Sequence, residues 1–299
     1  METNFAVIDL GSNTFHLLIV HPVLNGFREV YRERVFVGLG REAVSRISDE
    51  ARHRALETLK KFKKALDQYE PVRCRAIGTE MFRQASNAGA FIEEVKQQTG
   101  ITIEIISGQQ EAEYIFEAVR RIFPRGDYLV MDIGGGSTEF VLYAGGRVRF
   151  LDSFPVGILA LYERFPIGDP ITEDEKQRIQ AYLTDAMAPL LDEALVHYPV
   201  VDMIGAAGVI NTYFAMTGTP KDTYLDTEAL LEVLDQLIHT TYAERLQMPR
   251  IPMGRKKWIV MTSLFLAFVL RRTKVKRLLY SPNSLKEGVL YAMISQAKQ

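Results

Sequence analysis

Two short stretches of this 299-residue chain combine residue types that could bind a phosphate and a cation. One reads Asp132-Ile133-Gly134-Gly135-Gly136-Ser137-Thr138-Glu139, and the other Asp9-Leu10-Gly11-Ser12-Asn13-Thr14. Each puts an acid before glycine and a hydroxyl after it, between apolar runs. Glycines tolerate positive φ, and without a Cβ they let an anion reach the backbone N–H groups. A plain turn needs only the glycines. The acids and hydroxyls are what an anion site adds. Asp9, Asp132 and Glu139 are candidates to hold a divalent cation, Mg²⁺ first, directly or through waters.

Three further residues could do chemistry. Arg83 follows the predicted strand Val72–Ile77 through Gly78-Thr79. That places it at the C-terminal end of a strand, where ligands bind in open α/β sheets. A guanidinium there suits bidentate phosphate capture. Glu111 falls in the first turn of a helix opened by Ser107 and Gln110, a capping-box pair. Taken alone, a carboxylate there complements the helix dipole. His16 follows the first motif and reads as a packed strand residue rather than a base.

The elements that must position these groups follow from periodicity. Phe5–Ile8, Phe15–Val20 and Glu29–Phe36 predict an antiparallel meander, with the first motif as its first turn. Ser48 predicts the cap of a helix to about Tyr69, with Ala55, Leu59, Phe62 and Leu66 on one face and Lys60, Lys61, Lys63 and Lys64 mostly facing solvent. Asn87 predicts a cap and Gly100 a stop for the next helix. After Arg120–Asp127 the grammar repeats, with Asp132 about 120 residues beyond Asp9. A helix is expected from Thr172, boxed by Glu175, to about His197, and another over Asp226–Leu246. Val200–Gly205 runs into Ala206-Ala207-Gly208-Val209, where small residues permit either close ligand approach or close helix–strand packing. A strand over Val275–Tyr280 and a helix from Ser284 end in a polar tail, Lys298-Gln299.

This pattern predicts two α/β domains of the actin-like, ribonuclease H-like kind, facing each other across a cleft. Their expected bounds are 1–124 plus about 286–299, and 125–285. Two facing hairpins would hold opposite sides of a phosphate chain.

Composition excludes several classes. Lys and Arg total 36 against 37 Asp and Glu, so there is no global polyanion field, and neither DNA nor RNA is expected as a partner. Cys74 is the only cysteine, which leaves no disulfide framework and no Cys-based zinc cluster. No Gly-Lys-Ser of the Walker type occurs. The longest apolar run, Trp258–Leu270, is too short to span a bilayer, and the N-terminus has no signal-peptide pattern. A cytoplasmic protein is expected. Arg255, Lys256 and Lys257 precede that run, and Arg271, Arg272, Lys274, Lys276 and Arg277 follow it. They could line a polyanion channel or solubilise the ends of a buried helix. The same apolar helix leaves room for a homodimer, with core packing the simpler explanation.

Taken together, Ile8–Leu17, Asp132–Glu139, Ile77-Gly78-Thr79 with Arg83, Ile106-Ser107-Gly108 with Glu111-Ala112, and Leu285-Lys286-Glu287-Gly288 resemble the exopolyphosphatase/guanosine pentaphosphate phosphatase family in order and spacing. The resemblance covers nearly the whole chain. It implies that Glu111 is the general base, that Arg83 is a phosphate ligand, and that Ser12, Asn13, Gly135, Gly136 and Ser137 form the phosphate cradle. Asp132 and Glu139 would hold Mg²⁺ or position water.

The implied activity is Mg²⁺-dependent release of the terminal phosphate of inorganic polyphosphate. Hydrolysis of guanosine pentaphosphate at its 5′ end is the alternative, and a non-catalytic sensor of either ligand a third. The chain departs from the family pattern at Gly205–Val209, at Arg255–Trp258, and at Gln109 and Gln110, where acids are frequent. It also stops where longer members append a helical domain. The departures at Gly205–Val209 and the basic segments favour polyphosphate.

Overall fold

Asp9 lies inside a strand, not after one. In the computed structural model, which describes residues 3–24, 26–41 and 45–297, strand β1 spans Asn4–Leu10. Strands β2, Thr14–Val23, and β3, Gly26–Phe36, return antiparallel. The register sets Asp9 opposite His16 and Leu10 opposite Phe15. Phe5, Ala6, Val7 and Ile8 are all buried, so β1 is covered on both faces, as its unbroken apolar run requires. Helix α1, Asp49–Gln68, is capped by Ser48, whose Oγ accepts from Ala51 N at 3.2 Å. Strand β4, Val72–Gly78, pairs parallel with β1. Helices α2, Glu80–Gln84, and α3, Ala88–Thr99, lead to β5, Ile103–Ile105, parallel to β4. Helix α4 then spans Gly108–Ile122. The sheet order is β3-β2-β1-β4-β5.

The second half repeats this plan. Strands β6, Tyr128–Ile133, β7, Thr138–Ala144, and β8, Arg147–Phe154, form the meander. Helices α5, Ile158–Arg164, and α6, Glu173–Ala186, follow, then a π-helical stretch, Pro189–Ala194, that runs into α7, Leu195–His197. Next come β9, Asp202–Ala206, α8, Ala207–Thr217, β10, Tyr224–Asp226, α9, Thr227–Ile238, and α10, Tyr242–Leu246. Helix α11, Ile259–Thr273, and β11, Arg277–Ser281, complete the half, and α12, Leu285–Ala297, ends the described chain. The sheet order is β10-β11-β9-β6-β7-β8. Read from β8, the order β8-β7-β6-β9-β11 matches β3-β2-β1-β4-β5, with β10 added at the edge. The α/β expectation, with two mixed sheets, holds.

The chain divides into two units. The first takes Met1–Ala118, Gly134–Gly136 and Asn283–Gln299, and the second Val119–Ile133 and Ser137–Pro282. Each has its own apolar core. The glycine tip of the β6–β7 turn thus groups with the first unit.

Local expectations failed in three places. The helix expected to about His197 changes form at Pro189, because proline has no N–H to continue the α ladder. The helix expected over Asp226–Leu246 is two helices, α9 and α10, with a break after Ile238. Asp226 closes β10 and caps α9, accepting from Glu228 N and Ala229 N at 3.0 Å each, while Thr241 with Glu244 builds a fresh capping box for α10. Asn87 sits before α3 but does not cap it. Its side chain accepts from Ile47 N at 2.9 Å and donates to Ile47 O at 2.8 Å, tying down a distant loop. The expected tail Lys298-Gln299 lies outside the described residues.

Among the described residues no helix is long and apolar enough to cross a membrane. Helix α11 is instead buried along its length from Ile259 to Leu270, so its apolar face is core.

Candidate active site

In the first unit, α2 and α4 start within reach of each other and carry three charged side chains into one place. Ser107 Oγ accepts from Gln110 N at 3.1 Å and Gln110 Oε1 accepts from Ser107 N at 3.0 Å, closing the expected capping box. That box fixes Glu111 in the first turn of α4, only 7% exposed. Helix α2 begins directly after β4. A Cβ on Gly78 would stand 2.8 Å from the Phe82 ring, so this glycine lets α2 fold back against its own strand end.

Arg83, on α2, is surrounded by acceptors. Its Nη1 donates to Ile106 O at 2.8 Å and to Glu111 Oε2 at 3.0 Å, and its Nη2 reaches the same Glu111 oxygen at 3.1 Å. Its Nε donates to Glu80 Oε2 at 2.7 Å. Burial opposes the Arg83 charge, but the adjacent Glu111 and Glu80 outweigh it, and the guanidinium binds its proton more tightly than usual. The structure therefore brings Arg83 and Glu111 together. Sequence reasoning missed Glu80, although its i,i+3 spacing from Arg83 on a short helix was a usable signal.

The turn between β1 and β2 is held by backbone bonds. Gly11 N donates to Thr14 O at 3.2 Å. Asn13 O accepts from Val37 N at 3.1 Å and Gly38 N at 2.9 Å, and Ser12 O accepts from Gly40 N at 2.8 Å. The segment after β3 thus straps the motif from outside, and Ser12 is buried. Gly136 lies close to the same place. A Cβ there would meet Glu80 Cγ at 2.8 Å and Ser12 Oγ at 3.3 Å. Gly135 precedes Gly136 in this tip.

His16 lies within electrostatic reach of Lys286, Arg34 and Arg32. Burial first, then these three cations, push its imidazole down to about 3, so it is neutral at neutral pH. Buried Glu287 accepts from Ser284 N at 3.0 Å and pairs with Lys286 at 3.2 Å and Arg32 at 3.5 Å.

In the second unit, Asp132 and Glu139 are register partners across β6 and β7. Glu139 is 3% exposed, and its Oε1 accepts from Ser137 Oγ at 2.6 Å and Ser153 Oγ at 2.7 Å. The Ser137 hydroxyl therefore orients this carboxylate. Among the described residues no group of three or more His, Cys, Asp or Glu side chains forms a metal cage. Mg²⁺ ordinarily takes one or two carboxylates and completes its shell with waters and phosphate oxygens. Two acids set opposite each other, one of them braced by two hydroxyls, fit that demand.

The basic segments around α11 are engaged internally. Buried Lys256 donates to Leu246 O at 2.7 Å and Met248 O at 3.1 Å. Arg271 pairs with Asp235, Arg272 with Asp192, Lys276 with Glu228 and Arg277 with Asp202. At the β9–α8 turn, a Cβ on Gly205 would stand 2.3 Å from Ile210 Cγ1, so close packing explains this glycine.

The Ppx/GppA phosphatase family matches this chain over residues 19–297. The solved structure of an exopolyphosphatase from Cytophaga hutchinsonii is 32% identical over 98% of this chain and 98% of its own, with a TM-score of 0.90. An Aquifex aeolicus member of the Ppx/GppA protein family is 28% identical over 99% of each chain, with a TM-score of 0.82. An exopolyphosphatase-like protein is 26% identical over 99% of each chain, with a TM-score of 0.89.

Proposed function

The chain belongs to the Ppx/GppA phosphatase family, and from that membership we propose that it is an exopolyphosphatase, releasing the terminal phosphate of inorganic polyphosphate. The pair formed by half-buried Arg83 of α2 and buried Glu111 of α4 carries this reading. It joins a proton acceptor and a phosphate-charge stabiliser within one hydrogen bond. Glu111 takes a proton from a water as that water attacks the terminal phosphorus. The P–O bond to the bridging oxygen breaks, and the chain leaves one phosphate shorter. Arg83 offers N–H donors to the equatorial oxygens, where negative charge spreads in the transition state.

Ser12, Asn13, Gly135, Gly136 and Ser137 form the cradle, through hydroxyl, amide and backbone N–H groups. Asp132 and Glu139, with Asp9, would hold Mg²⁺. Like charges opposite each other on a strand pair repel, and a cation relieves that repulsion. When bound, Mg²⁺ would neutralise charge on the phosphate oxygens.

Guanosine pentaphosphate is the second substrate class, with the same base and cradle. One observation favours it: the Arg271, Arg272, Lys276 and Arg277 charges already have acidic partners, which removes one reason to expect a long polyanion. A sensor that binds without turnover is the third reading. Phosphate release from each substrate, with Mg²⁺, by wild type and Glu111→Gln separates them. Release from polyphosphate, lost in Glu111→Gln, is expected. No release from either substrate by wild type would sink both enzyme readings, and binding without turnover would favour the sensor.

A further inference from the structure

Arg83 has no donor to spare. A guanidinium carries five N–H groups. One on Nε goes to Glu80 Oε2, Nη1 serves Ile106 O and Glu111 Oε2, and Nη2 serves Glu111 Oε2 and Glu80 Oε2. A phosphate can therefore bind Arg83 only by replacing one of two carboxylates.

Geometry selects which one. Glu111 and the Ile106 carbonyl hold the Nη1 side, and that carbonyl, one residue past β5, is main chain that cannot swing away. Glu80 holds the Nε–Nη2 edge through a single oxygen, and that edge has the two parallel N–H groups that match a phosphate. Glu80 also stands at the glycine tip, since its Cβ and Cγ lie 3.0 and 2.8 Å from the place a Gly136 Cβ would occupy, and Ser12 Oγ lies 3.3 Å from it. Its other oxygen accepts from Gln84 Nε2 one turn along α2, a partner it keeps when it leaves Arg83. An i,i+3 ion pair on an exposed helix would be unremarkable. This one is largely covered, with Glu80 at 14% and Arg83 at 19% side-chain exposure.

We propose that Glu80 is a resident anion that competes with substrate phosphate for Arg83, and so sets how strongly charged a phosphate must be to bind. This rests on the phosphatase reading above. A chain-terminal phosphate flanked by further phosphates displaces the carboxylate readily. Orthophosphate, the product, competes less well and leaves. Glu80 takes no part in bond making or breaking. It acts through Arg83, as a residue that sets the affinity for phosphate.

The test uses full-length wild type, Glu80→Gln and Glu80→Ala, with folding checked by thermal melts. KM for the cleaved substrate, the inhibition constant of orthophosphate, and the Kd of inorganic tripolyphosphate by calorimetry are measured with Mg²⁺. In both variants all three constants should fall about three- to tenfold, because a competing like charge has gone. A damaged fold cannot produce tighter binding. Tripolyphosphate bound no more tightly by either variant than by wild type would overturn the proposal. If wild type releases no phosphate, the function proposed above fails, and the calorimetry still decides the role of Glu80.

Discussion

Gly288 packs against Tyr114 so closely that a Cβ on Gly288 would lie 1.9 Å from the Tyr114 carbonyl oxygen. Helix α12 therefore touches the backbone of α4 three residues after Glu111. No side chain can shift to relieve that overlap, because the obstacle is main chain. Gly288→Ala should lower the unfolding free energy by about 1–3 kcal/mol, the usual range for overpacking. It should also lower kcat, since α4 must move and Glu111 with it. Urea unfolding and phosphate release check the two parts. An alanine variant with wild-type stability would show that α12 is not held at this distance.

Replacing Arg83 with Met should leave Glu80 and Glu111 both largely covered and without their shared cation. A loss on the order of 2–3 kcal/mol is expected from breaking such a pair. Lysine restores the charge but not the fork, so Arg83→Lys should recover stability better than turnover. Equal recovery of both would count against bidentate phosphate contact.

Chelation by EDTA should abolish phosphate release, and added Mg²⁺ should restore it. Asp132→Asn should raise the Mg²⁺ concentration for half-maximal activity by about 10–100-fold, as loss of a carboxylate at a metal site commonly does. Activity that survives exhaustive chelation would remove the cation from the scheme.

The basic residues at and beyond the C-terminal end of α11 should matter little to substrate binding. Arg271→Gln with Arg277→Gln should leave KM for polyphosphate within about twofold, because Asp235 and Asp202 already cancel those charges locally. A large rise in KM, steep in salt, would restore the polyanion channel.

His16 predicts a pH dependence of stability. Burial and the cations Lys286, Arg34 and Arg32 hold its folded value at about 3, against 6.5 in the unfolded chain. Asp9 faces it across β1 and β2. Between pH 6.5 and pH 3 the unfolded chain takes up a proton here that the folded chain does not. Stability therefore falls as pH drops through that window. His16→Asn removes this contribution, so its urea midpoint should decline less on acidification than that of wild type. Parallel declines would mean that His16 does not titrate as stated.

Much of the fold was legible because it rests on local rules. The two acid–glycine–hydroxyl turns, the Ser48 and Thr172 caps, the Gly100 stop and the Ser107–Gln110 box each depend on residues a few positions apart. The failures have different causes. Asn87 had the right type for a cap, but Ile47 lies 40 residues away in sequence and offered both a donor and an acceptor. The helix over Asp226–Leu246 breaks after Ile238 at a local signal, the Thr241–Glu244 capping box that opens α10.

By itself the sequence determined the repeated strand–turn–strand grammar, the placement of Glu111 in a helix's first turn, and the family resemblance. Periodicity, glycine and capping are encoded within a few residues, so a linear reading can find them. Tertiary structure alone decided how the charges are shared. Arg83 is held between Glu80 and Glu111 because α2 and α4 start side by side after parallel strands. The cations around α11 meet acids 36 to 80 positions away. A charge acts through space and not along the chain. Its partners, and hence its role, appear only once the strands and helices are packed.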